Sequence, residues 1–565
     1  MAGIISITGT GIICAIGNDA PSVLGSLRRK ESGIGKMKYL QSVHTDIPVG
    51  EVKLSNGQMK EMLGIPADER VSRTSLMGAI AVREALADAA CDLSGKKVAL
   101  ISGTTVGVMD ISEQDYDSPR GNDCGASTAQ IARCSGLEDA SCCTICTACS
   151  SALNSIMLGA EMLERGEADI VVAGGSEPLS RYHLNGFNTL MILDRERCRP
   201  FDATRAGLNL GEGAAFVVLE KDSPRGRVFL HGYANRCDAF HQTATSAGGD
   251  GAFFAMSAAL KMAGIAPGKI KYINAHGTGT PDNDASESAA FRRVFGTSMP
   301  EISSTKSYTG HTTSASGSIE TVICVLAMLH GFTPASLGWS NPMEDGIIPT
   351  AGSDNAELDY VMCNSFGFGG NDSSMVLGKY PPAASGERPE GPEPVLLAKV
   401  TVDSDDALGQ LKEFLSPIET RRMGKLMRSS LLAAYLAMRE AGIERPDAIV
   451  AATSKGMMEY SMQFLSEIRN NGEEYLSPTT FMLSTHNTIA SAIAIKTCCH
   501  GYNITYSQGD DSLSWALRDA RRLISSGEAG KVLVISFDEE LDGCRTSAFR
   551  SDCFIYSSSN RAPRI

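Results

Sequence analysis

The chain carries a partial copy of itself, and that repeat limits what it can fold into. In one stretch Cys149-Ser150-Ser151 opens a helical run that closes on Arg165-Gly166-Glu167-Ala168 and leads into the apolar strand Ile170-Val171-Val172. In a second stretch Asp510-Asp511-Ser512 opens a run that closes on Ser526-Gly527-Glu528-Ala529 and leads into Val532-Leu533-Val534. Aligning Gly166 with Gly527 gives an offset of 361 (527 − 166), which places Asp510 opposite Cys149. Upstream, residues 73–86 and 428–438 both read as helices leading to a strand. A shared order of helix, strand, polar loop, helix and strand points to one unit used twice.

Apolar runs at 98–102, 170–173, 215–219, 270–275 and 375–377 alternate with helical stretches. That alternation predicts an α/β architecture around a largely buried sheet. The segment KYPPAASGERPEGPEP, residues 379–394, denies both helix and ladder through its prolines and stays solvated. We therefore divide the chain into residues 1–379 (two halves meeting near 225–255), a linker at 380–394, a second unit at 395–542 and a polar tail at 543–565. The tail is expected to be irregular or docked on the surface.

A net charge of −14 in 565 residues opposes general nucleic-acid binding. No run of about 18 apolar residues implies a membrane span. The opening residues MAGIISITGTGIICAIGNDA lack a basic start and read as a core strand, not a signal peptide. Sixteen cysteines without a signal peptide suggest reduced thiols in a cytoplasm.

Four segments carry chemistry. In Thr147-Ala148-Cys149-Ser150-Ser151 a strand stops and a helix begins, so Cys149 stands at a helix N-terminus. Free N–H groups and the positive end of the helix dipole would favour a thiolate there. The alternative is a small buried residue at a tight junction. Cys143, Cys146 and Cys149 also form two C-x-x-C spacings. Zinc or redox work would need a second ligand pair, and none is evident in the sequence, so buried cysteines on a strand are the preferred reading and no metal is expected. His276-Gly277-Thr278-Gly279-Thr280 ends a strand in a glycine-rich loop. Lys306 and His311 bracket a short turn, and Asn364-Ser365-Phe366-Gly367-Phe368-Gly369-Gly370 is a glycine-dense turn without the Lys-Ser/Thr of a phosphate loop. Each histidine alone could be a loop residue; with only nine in the chain, two beside such a cysteine are more informative.

Together TACSS, HGTGTP, KSYTGH and NSFGFGG resemble the β-ketoacyl-acyl-carrier-protein synthase family of the thiolase superfamily, over residues 1–379. Asp202 and Asp238 fall in further matching segments. The resemblance implies a five-layered αβαβα fold and a Cys-His-His site for decarboxylative condensation. It implies that Cys149 takes the acyl group, that the N–H groups of Cys149 and Phe368 form an oxyanion hole, and that His276 and His311 bind the malonyl thioester. It implies that Lys306 pairs with Glu287 or Asp284, that Phe368 gates the pocket, and that Thr278 and Thr280 hold the phosphopantetheine arm. Arg199 is a candidate contact for the acyl carrier protein, or a plain surface arginine. The substrates ride on carrier phosphopantetheine, and no further cofactor is expected.

The second unit resembles the N-terminal half of a ketosynthase with Asp510 in place of the nucleophile. Such halves resemble chain-length factors, and the fusion resembles those of aryl-polyene or flexirubin-type pathways. Three readings follow: a polyene-type condensing enzyme with its partner half attached, a fatty-acid elongation synthase whose second unit only stabilises a dimer or pseudo-dimer, or a non-catalytic scaffold for acyl carriers.

Overall fold

A computed structural model describes residues 3–115, 123–383 and 391–558. The middle of the expected linker, 384–390, and the end of the expected tail, 559–565, lie outside the described residues. The first unit contains β1 (Ile5–Cys14), β2 (Val98–Gly103), β3 (Ser141–Ile145), β4 (Ile170–Glu177) and β5 (Gly213–Lys221). It continues with β6 (Val228–Cys237), β7 (Tyr272–Asn274), β8 (Glu301–Ser303), β9 (Tyr360–Gly367) and β10 (Asn371–Gly378). The second unit contains β11 (Pro394–Val402), β12 (Ala448–Ala452), β13 (Asn503–Tyr506), β14 (Lys531–Asp542) and β15 (Arg545–Ser558).

The strand order makes the repeat visible. The first unit runs β3-β2-β4-β5-β1 and then β6-β10-β9-β7-β8, while the second runs β13-β12-β14-β15-β11. Parallel and antiparallel pairings match strand for strand in β1–β5 and β11–β15. The two copies meet where β3 pairs antiparallel with β13, Ile145 facing Tyr506 (506 − 145 = 361). Cys146 N–H donates to Thr505 O and Ser507 N–H donates to Thr144 O, at 2.9 and 3.0 Å. Residues related by the offset thus exchange bonds about a local two-fold axis.

Five layers build the first unit. Helix Arg73–Ala89 covers β1 and β5 on the outside. Helices Ser151–Glu164 and Ser316–His330 fill the space between the two half-sheets. Helices Asp250–Ala263 and Pro281–Phe295 cover the far side of β6–β10. All ten residues of β1 are buried because it is covered on both faces. Gly9 and Gly11 let the outer helix touch it, since a Cβ there would stand 2.2 Å from Ala85 O and 2.0 Å from Ala81 O. Residues Thr313–His330 are apolar and long enough to cross a membrane, but they are 89% buried in this middle layer.

The tail expectation is corrected. Residues 545–558 form β15, which pairs with both β14 and β11. Its apolar positions Phe549, Cys553 and Ile555 complete the second unit's outer core. Arg550, Ser551 and Asp552 separate Phe549 from the short apolar run Cys553-Phe554-Ile555-Tyr556, and serines follow it, which hides the strand in the sequence. Helix Ser512–Ser525 shows what the second unit does without. Its counterpart, Ser151–Glu164, is buried from Ser151 through Leu163. Helix Ser512–Ser525 buries Trp515, Ala516, Leu523 and Ile524 but exposes Ser514, Arg518 and Arg521. Among the described residues the second unit has no counterpart of β6–β10, so this side meets water and must be polar.

Candidate active site

The chain leaves β3, makes one 3-10 turn at Ala148–Ser150 and enters helix Ser151–Glu164. Ala148 holds φ at +51°, a left-handed conformation that costs a non-glycine residue roughly 1–2 kcal/mol. Ser365 Oγ donates to Cys149 O at 2.8 Å and pins the turn to β9. Gly367 allows the close approach, since a Cβ there would lie 3.1 Å from Cys149 N. In the second unit Asp510 occupies the middle of the matching 3-10 turn, Gly509–Asp511, and is exposed.

Cys149, His276 and His311 converge although 127 residues (276 − 149) and 35 residues (311 − 276) separate them. His311 Nε2 lies 3.1 Å from Cys149 Sγ, and its Nδ1 lies 3.0 Å from Ser316 Oγ. With Nδ1–H donated to Ser316, Nε2 is free to accept the thiol proton. The His276 and His311 rings sit edge to face, 5.3 Å apart. Burial, and then the nearby Lys306 charge, pushes both imidazoles well below their ordinary pKa, so both are neutral.

The helix N-terminus does not produce a resting thiolate. Burial pushes the Cys149 thiol up to about 12, outweighing the Lys306 charge and the Phe368 N–H bond to sulfur. His311 Nε2, 3.1 Å from the sulfur, is placed to accept the thiol proton. Alkylation of Cys149 by iodoacetamide should rise about tenfold per pH unit from 7 to 10 as the thiolate fraction grows. A rate that levels off below pH 8, followed by peptide mass spectrometry, would contradict a neutral resting thiol.

Lys306 is buried, and its ammonium pairs with Glu320 at 2.5 Å. The expected pairing with Glu287 or Asp284 is corrected. Glu287 accepts from the N–H groups of His276 and Gly277 at 2.8 and 2.7 Å. Asp284 accepts from Phe201 and Gly279 N–H at 2.7 and 3.2 Å and lies 3.7 Å from Arg205. Both carboxylates shape the His276 loop, while Glu320, one helix later, holds the lysine.

Thr278 and Thr280 bond each other at 2.8 Å and line, with Cys149, His276, His311 and Phe368, a cavity of about 260 Å³. The Phe368 ring stacks on Phe187, centroids 5.7 Å apart. Arg199 turns back onto its own loop, donating to Thr204 O at 2.8 Å and pairing with Asp194 and Glu196. Asp202 accepts from Ser340 and Asn341 N–H, and Asp238 from Ser246 and Gly251 N–H; both tie loops around the site.

Sequence reasoning missed the residues that the second unit sends here. Asn487 donates to Phe368 O at 2.9 Å, and Phe481 packs 5.7 Å from Phe187. No motif marks either one.

The Beta-ketoacyl synthase N-terminal domain model matches residues 3–225, and the C-terminal domain model matches 228–340. A second N-terminal domain model matches 399–550. The 3-oxoacyl-[acyl-carrier-protein] synthase 2 of Staphylococcus aureus (strain COL) is 31% identical over 419 residues, covering 66% of this chain and 98% of that protein. The ishigamide ketosynthase/chain length factor structure is 28% identical, with a TM-score of 0.62 over 67% of this chain and all of that one. The PfaC Keto synthase-Chain length factor structure covers 99% of this chain and 79% of that one with a TM-score of 0.80; at 16% identity it shows the fold. Sequence, thiolase-like fold and site agree: this chain belongs to the β-ketoacyl synthase family and is a condensing acyltransferase of fatty-acid or polyketide elongation.

Proposed function

We propose that residues 1–379 extend an acyl chain held on Cys149 and that the second unit closes the acyl pocket and sets product length. An acyl carrier protein delivers both thioesters, its phosphopantetheine passing Thr278 and Thr280. As Cys149 sulfur attacks the acyl thioester, His311 Nε2 takes the thiol proton and hands it to the carrier's phosphopantetheine sulfur as that carbon–sulfur bond breaks. The N–H groups of Cys149 and Phe368 receive the developing oxyanion. A malonyl thioester then binds with its carbonyl oxygen accepting from N–H groups of His276 and His311, the Ser316 hydroxyl turning to donate to His311 Nδ1 so that Nε2 carries the proton, and carbon dioxide leaves. The enolate attacks the acyl-Cys149 carbonyl, releasing a 3-oxoacyl thioester two carbons longer. Lys306, fixed by Glu320, keeps the two rings neutral and placed.

One observation carries the length assignment. Behind Cys149 a second cavity is lined by Thr105, Val106, Tyr182, His183 and Phe187 of the first unit and by Phe481, Ser484 and Thr485 of the second. Tyr182 O–H donates to Ser484 Oγ at 2.5 Å, sealing that wall. Phe481 touches the backbone at Gly186, where a Cβ would meet its ring at 2.2 Å. Phe481→Ala should lengthen the product by one or more two-carbon steps, read by mass spectrometry of carrier-bound products. An unchanged length would favour the reading of an elongation synthase with a merely structural second unit. The pairing of β3 with β13 supports a pseudo-dimer within one chain. The attached second unit also supports a specialised polyene-type product, which a panel of aromatic and aliphatic primers would test.

A further inference from the structure

A second cluster of sulfur and imidazole lies apart from the Cys149 site. Cys124 opens helix Cys124–Ser135, Cys146 directly follows β3, and His486 precedes helix Thr488–Thr497 of the second unit. All three are buried, with 0%, 2% and 1% exposure. Their donor atoms all lie within 4.8 Å of one another, with Cys124 Sγ 3.9 Å from His486 Nε2.

We propose that Cys124, Cys146 and His486 bind a zinc ion that ties the second unit to the first. Zinc–sulfur bonds of about 2.3 Å and zinc–nitrogen bonds of about 2.0 Å place tetrahedral donors roughly 3.5–3.8 Å apart. The cluster therefore needs shifts of about 1 Å or less to enclose the ion. Two thiolates and an imidazole suit a borderline-soft d¹⁰ cation better than magnesium or calcium. A water completes four-coordination.

The surroundings are those of a ligand set. His486 Nδ1 lies 3.1 Å from Ser507 Oγ, which orients the ring and leaves the Nε2 lone pair facing the sulfurs. The ring is clamped, since a Cβ at Gly456 would strike it at 2.2 Å. Zinc binds thiolates, so Cys124 and Cys146 would release their protons as the ion enters. Cys146 belongs to the C-x-x-C spacings, but its partners are Cys124 and a histidine of the other unit, which no spacing reveals. Ligands from both units couple metal binding to their docking.

The test uses the full chain carrying Cys149→Ala, so that the active-site thiol cannot contribute. After reduction, loading with one equivalent of zinc and gel filtration, mass spectrometry of the metal content should find about one zinc per chain. Cys124→Ser and His486→Gln should each weaken retention against a chelator by at least about tenfold. X-ray absorption of the loaded chain should show two sulfurs at about 2.3 Å and nitrogen at about 2.0 Å, independent of how the variants fold. Negligible zinc after loading, a shell of nitrogen and oxygen only, or undiminished retention in Cys124→Ser would overturn the assignment.

Discussion

Replacing Cys149 by alanine should remove condensation by on the order of 10³-fold or more, and should abolish acylation of the protein. The expectation rests on there being no second way to hold the acyl group next to His276 and His311. Among the described residues Cys149 is the thiol that lies 3.1 Å from His311 Nε2, and its turn is pinned by Ser365. Alanine removes the sulfur while preserving the backbone conformation, so the variant should fold with the site otherwise intact. The measurement is incubation with an acyl-carrier thioester followed by intact mass and peptide mapping. An adduct persisting at Cys146, at Cys124 or at any other of the sixteen cysteines would mean that the nucleophile has been misassigned.

Removing residues 380–565 should cost the protein its soluble folded state. The β3 edge would lose β13, presenting free N–H and C=O groups to other chains. The aromatic cluster of Tyr182, Phe187, Phe464 and Phe481 would be cut in two, exposing an apolar patch of a few hundred Å² or more. Asn487 would no longer hold the Phe368 carbonyl, so the glycine-rich loop beside Cys149 would lose a support. Solubility and size-exclusion profiles read the first effect, and product lengths read the second. A soluble truncated chain making products of unchanged length would defeat both the pairing argument and the length-setting role.

Much of this molecule could be read from residue order. Runs such as Val98-Ala99-Leu100-Ile101 announce buried strands, and the offset of 361 recurs as the register of Ile145 against Tyr506. The four motifs located Cys149, His276, Lys306, His311 and Phe368 at strand ends and tight turns. The strand β15 escaped notice because its apolar run, Cys553-Phe554-Ile555-Tyr556, is short and most of its other residues are polar. Lys306 was matched to the wrong acid for a related reason. Glu287 and Asp284 lie near His276 in sequence, yet their oxygens are taken by backbone N–H groups, and Glu320 arrives from a helix that packs between the sheets.

By itself the sequence determined the repeat and marked Cys149, His276 and His311, because these depend on residue types at short, regular spacing. Only the tertiary structure decided the rest: that Cys149 rests as a thiol, that Glu320 balances Lys306, and that Phe481, His486 and Asn487 touch the first unit at Phe187, Cys124 and Phe368. Those outcomes follow from burial, which sets the cost of charge, and from the β3–β13 pairing. That pairing brings together groups 119 to 362 residues apart, distances over which no local pattern extends.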